Sequence, residues 1–235
     1  MSVRDGVPLA ADTADVWLGK AVVHLAAACG VPASALDDLT KPALGGTRLA
    51  PGARAFLVRL DESRLCVLCA ALAAEATVND YIHSRRPSYR GMLDKLSVPE
   101  KFSLAPRLLS GADLFPPGSR VYEHLVRLFA LQRELVLAWP HPAAPGDPAD
   151  GGQSERFNPR IAHELLESVA RGAKALGDLH EHPYRPTVGL ALKVVDALAK
   201  RAEAAAAVPA PTVAELEEEE ETLTAAAFAE EMIGA

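Results

Sequence analysis

Residues 119–140, SRVYEHLVRLFALQRELVLAWP, decide the fold. Val121, Leu125, Leu128, Leu131, Leu135 and Ala138 recur at steps of three and four, the spacing of one face of an α-helix. Val126, Phe129 and Val136 widen that face, which predicts a central helix packed on two sides. Ser119 is placed to cap the first turn, and Pro140 stops the helix after Trp139. The expectation is an all-α protein, a helical bundle assembled around this segment.

Composition agrees. The chain has 235 residues, enough for one large domain with appendages, and its 49% apolar content is ample for a core. Ala and Leu dominate while aromatics are only 5%, a balance that favours helix. The net charge of -7 is a property of the C-terminus. Residues 212–235 carry eight of the 31 acidic residues and no Lys or Arg, so the rest of the chain is close to neutral. A neutral body argues against a broad nucleic-acid surface and leaves room only for a local basic patch.

Three cysteines form an odd count. The N-terminal residues are polar with no apolar leader, which points to a reducing, cytoplasmic setting. No run reaches the roughly 18 continuous apolar residues of a membrane span, so no membrane partner is expected. The Ala, Arg, Pro and Gly usage is that of a GC-rich bacterial coding sequence.

Outward from the central segment, a helix is predicted from Asp12 or Thr13 to about Cys29, then a Gly- and Pro-rich loop over 40–54. A second long helix runs from Asp61 to Arg85 and is apolar between Cys66 and Ala74. Ser97 and Glu100 form a capping-box pattern. Asn158 caps a helix with Pro159 at its first position, and a last bundle helix spans Thr187 to about Val208. Three regions follow from this reading. Residues 1–59 form an N-terminal helical extension and loop, 60–208 the bundle, and 209–235 an acidic linker with a short amphipathic tail.

Glu75 and Asn79 four apart on a buried helix, then LDKLSVPEKFSLAPRLLSGADLF, then LFALQRELVLAWP, resemble bacterial proteins of the HEPN superfamily. The resemblance covers roughly residues 60–140. It implies a bundle of four to five core helices that commonly dimerises. Active members are metal-independent ribonucleases, often toxins or defence effectors, carrying an Arg followed four to six residues later by a His. Here the His position falls on Leu137 and the Arg position on Gln132, with Arg133 beside it. Leucine can neither move a proton nor steady a phosphate.

The favoured expectation is therefore a non-catalytic HEPN-like interaction or scaffold protein of a bacterial assembly, in a defence or toxin context. Its partner is a protein or a second copy in a homodimer. The alternative is a ribonuclease with a rearranged site. That site would use Arg133 or the Arg85–Arg90 cluster with His83 or His141, flanked by Glu75 and Asn79, and RNA would be its substrate.

Other candidates have plainer explanations. Cys66 and Cys69 have redox spacing, but within an apolar helix they read as buried, inert thiols. His180 and His182 read as a helix C-terminal cap rather than metal ligands. Arg85, Arg86 and Arg90 could hold a phosphate backbone, or be solvated charges at a helix end. Glu75 and Asn79 read as a polar pair bonding Gln132 or backbone groups. No metal or cofactor motif is present in the sequence.

The tail ends in TLTAAAFAEEMIGA behind Glu217–Glu221. The penta-Glu run reads as a solvated spacer. Phe228 and Met232 lie on one stripe of a short helix, so they are the candidate partner-binding residues.

Overall fold

The computed structural model describes residues 9–31, 52–137, 148, 151–179 and 186–233. The described residues form eight α-helices: α1 (Leu9–Ala28), α2 (Ala53–Arg85), α3 (Arg90–Leu93), α4 (Val98–Ser110), α5 (Arg120–Leu137), α6 (Pro159–Asp178), α7 (Pro186–Ala206) and α8 (Val213–Ile233). Among them no strand occurs, and the all-α helical bundle expected from the sequence is the fold.

The centre of the bundle is α2, not α5. At 33 residues α2 is about 50 Å long at the usual rise per residue. It packs on α1, α4, α5, α6 and α8. Between Cys66 and Ala74 it carries no charge, so it can bury several faces at once. Along α5, by contrast, only Leu125, Leu128 and Leu131 are buried. Charged Arg120, Glu123, Arg127 and Arg133 confine it to one buried stripe, and it lies at the surface against α2, α4 and α6. Apolar periodicity marks the face a helix can bury, but not how many neighbours it meets.

The first helix is a wall of the core rather than an extension. Leu18, Ala21 and Leu25 of α1, with Cys29 just after it, join the same buried cluster as residues of α2, α4, α5, α6 and α7. It runs antiparallel to α2: His24 Nδ1 meets Glu62 Oε2 at 2.7 Å, and Lys20 acts on Cys69 one turn further on. The boundary expected at 59/60 falls inside α2, which begins at Ala53 within the stretch expected as loop. Helices α6 and α7 complete the four-helix layer with α1 and α2.

Local signals hold where they rest on capping chemistry. Ser97 donates from N and Oγ to Glu100 Oε2 at 2.7 and 2.6 Å, and Asn158 Oδ1 accepts from Ile161 N at 3.0 Å. The Phe102 ring of α4 reaches α6 at Gly172, where a Cβ atom would stand 3.1 Å from it. Phe102 in turn meets Phe115 edge to face at 5.7 Å.

By length and apolarity α2 is able to cross a membrane, with a mean hydropathy of 1.4 over its most apolar stretch. The sequence reading expected no such segment. In the fold, 56% of that stretch lies inside the bundle.

Candidate functional site

The positions aligned with the motif of the resemblance hold Gln132, Arg133 and Leu137 at the end of α5. Gln132 is half-buried and Arg133 points to solvent. Leu137 is 67% exposed and Val136 beside it 69%. Leu137 therefore does not pack in the core of its own chain. His141, His180 and His182 lie outside the described residues. His83 is exposed at the last turn of α2.

Asn79 finds a partner the sequence reading did not name. Lys101 of α4 donates from Nζ to Asn79 Oδ1 at 2.9 Å and stands 3.6 Å from Asp94 Oδ1. Lys101 is only 5% exposed. Its stem is buried with the rest of the side chain, and the ammonium sits where it neutralises Asp94 and satisfies Asn79. Gln132 is not part of this group, and Glu75 forms no hydrogen bond among the described residues. The signal for Lys101 was its place one residue after Glu100 in the capping box, which turns it inward.

The arginines expected to converge on a phosphate are dispersed. Arg85 donates to the Leu179 carbonyl and so caps the C-terminus of α6. Arg90 pairs with Asp94 at 3.5 Å, and Arg86 is exposed.

A polar seam missed in the sequence joins α5 to α6. Arg120 pairs with Glu167 at 3.0 Å, Arg127 stands 4.0 Å from Glu164, and Arg156 bonds Glu134. His124 Nδ1 lies 2.7 Å from Ser168 Oγ and 3.2 Å from the Glu164 carbonyl. Ser168 is buried, which makes the pair a tie between helices.

All three thiols are free and buried. Burial pushes Cys29 up to about 12, against a smaller opposing pull from Arg201. Cys66 is raised well above the ordinary thiol range by burial first, then by Cys69, Cys29 and Glu62. Cys69 is raised by burial and eased by Lys20. Thiolates are disfavoured at each position, so nucleophilic or redox chemistry has no activated sulfur here. Among the described residues no three His, Cys, Asp or Glu side chains are placed to share a metal ion.

Two concavities lie at the end of the bundle where α2 begins. A cavity of about 410 Å³ is lined by Phe56, Arg59, Leu60, Phe157, Asn158 and the end of α7. Arg59 is only 6% exposed, stacks near the Phe56 ring at 5.9 Å, and is lowered below its ordinary range by burial. An adjoining groove of about 810 Å³ runs between the start of α2, the α7–α8 connection and α8.

At this groove the acidic run leaves the role of free spacer. Glu217–Glu221 are helical, and Glu219 reaches the N-terminus of α2. Its Oε2 accepts from Ala53 N at 2.5 Å and Arg54 N at 3.2 Å. The attraction comes from unpaired N–H groups and the helix dipole, not from basic side chains, so net charge gave no warning of it. Phe228 and Met232 fall in the last turns of α8, and their side chains lie outside the described residues.

Comparison of the chain with protein-family models, with curated proteins and with solved structures returns no match. The class the fold defines is therefore an all-α helical bundle with a C-terminal acidic helix seated on its longest member.

Proposed function

We propose that the chain is a non-catalytic interaction protein, a HEPN-like bundle that self-associates or joins a larger bacterial cytoplasmic assembly. One observation carries the reading. The end of α5, where a ribonuclease of that kind would place its acid–base residue, instead presents Val136 and Leu137 to solvent. Adjacent apolar side chains at that exposure gain by being covered, and they supply no proton-transfer group. The partner is a second copy or another protein.

The test is the Val136→Asp/Leu137→Asp variant beside the wild type in sedimentation equilibrium and against total RNA in EDTA. The reading expects association to weaken at least tenfold with the melting temperature unchanged, and RNA to stay intact. RNA cleavage that Arg133→Ala abolishes without unfolding would replace this reading with the ribonuclease.

A further inference from the structure

The α8 helix is seated through a small contact. Along 213–224 only Val213, Leu216 and Glu219 are partly covered, and the remaining residues, four of the five consecutive glutamates among them, face water. The anchor is the Glu219 carboxylate on two backbone N–H groups of α2. The cradle is shaped for it. Gly52 has φ 106°, and a Cβ atom there would come within 2.5 Å of Glu219 Oε1. Beside it the groove of about 810 Å³ is lined by Phe56, Pro209, Pro211 and Leu223.

The connection to the body is short and stiff. Residues 207–212 join α7 to α8, and Pro209 and Pro211 fix two of their φ angles. A short, stiff hinge beside a small, self-sufficient contact is the arrangement that favours exchange of an element between copies, since the same bonds form in cis and in trans. The α8 helix also carries its own start, with Thr212 forming one isolated antiparallel bridge to Pro148 of the body. Glu215 Oε2 accepts from Thr212 N at 2.7 Å and Thr212 Oγ1 at 3.0 Å, a capping box that travels with the helix.

We propose that the groove at the α2 N-terminus is a docking site for the acidic helix of a second copy, and that α8 exchanges reciprocally between two chains. This rests on the reading of the protein as an interaction module, and names a partner surface separate from the end of α5.

The test is complementation between two full-length variants, both made in the Val136→Asp/Leu137→Asp background so that the α5 end does not contribute. Gly52→Ala spoils the cradle and leaves α8 intact, and Glu219→Ala spoils the anchor and leaves the cradle intact. In an exchanged pair of unlike chains one of the two seats has both intact parts. In an exchanged pair of like chains neither seat does. Sedimentation equilibrium should show the mixture associating at a concentration at least tenfold lower than either variant alone. Equal association in mixture and separate variants, or a parent that stays monomeric throughout, would overturn exchange and leave a contact made only within one chain. Circular dichroism of each variant keeps unfolding separate, and Glu219→Leu, which has no acceptor, replaces Glu219→Ala if the latter loses helix. RNA cleavage by the wild type would overturn the interaction reading while leaving this result standing.

Discussion

At the residue scale, burial separates leucines that look alike in sequence. Leu128 lies on the apolar stripe of α5 and is buried, whereas Leu137, off that stripe, stands in water. Leu128→Ala is expected to cost about 2–5 kcal/mol in denaturant unfolding and Leu137→Ala less than about 0.5 kcal/mol. Equal effects would mean that α5 is rotated from the position described. The Lys101–Asn79 bond makes a second case. Lys101→Met keeps the stem but strands the Asn79 amide in a poorly hydrated place, at a cost of about 1–3 kcal/mol. Adding Asn79→Leu should recover much of that loss, since removing both polar partners is close to neutral. A double-mutant cycle showing simple additivity would sink the pairing. Glu75 and Asn79 were legible as a polar face, but the partner of Asn79 was not, because Lys101 is 22 residues away from it.

At the scale of elements, helix ends were readable and helix neighbours were not. The Ser97–Glu100 and Asn158–Pro159 signals act within one turn, so sequence spacing already contains their geometry. The hydrogen bonds from Ser97 Oγ and then Ser97 N hold the Glu100 carboxyl below its ordinary range. For Glu215 the bonds from Thr212 N and then Thr212 Oγ1 do the same. A carboxylate with depressed folded pKa contributes above its unfolded pKa and loses that contribution as pH falls through the folded value. Amide exchange in the first turns of α4 and α8 should therefore accelerate below about pH 4 ahead of the core. Unchanged protection there down to global unfolding would contradict both boxes. The packing of α4 on α6 predicts a further outcome. Gly172→Val forces Phe102 to move and should lower stability by about 1–3 kcal/mol, read as a fall in the urea midpoint. The tail acts at this scale too. Truncation after Pro211 removes the Glu219 cap from α2. A loss of about 0.5–2 kcal/mol, reproduced by Glu219→Ala, is the expected result.

For the whole molecule, the alkaline limit of stability follows from the buried thiols. Their folded pKa values are raised, so the unfolded chain releases protons first once the pH passes about 9, and stability declines from there toward the folded value of about 12 at Cys29. The decline is up to ~1.4 kcal/mol per pH unit for each such thiol. Replacing Cys29 by Ala should flatten the fall in melting temperature between pH 9 and pH 11, and an unaltered slope would show that other groups set it. By itself the sequence determined the all-helical class, the caps at Ser97 and Asn158 and the burial of Cys66 and Cys69. Those properties depend on composition and on contacts a few residues long. Only the tertiary structure decided that α2 is the centre, that α1 belongs to the core, that Leu137 faces water and that Glu219 seats on a helix end 166 positions from it. The physical reason is that an apolar stripe states what must be covered, while the covering neighbour is chosen by the packing of all helices together. Unpaired backbone N–H groups, moreover, leave no mark on side-chain sequence.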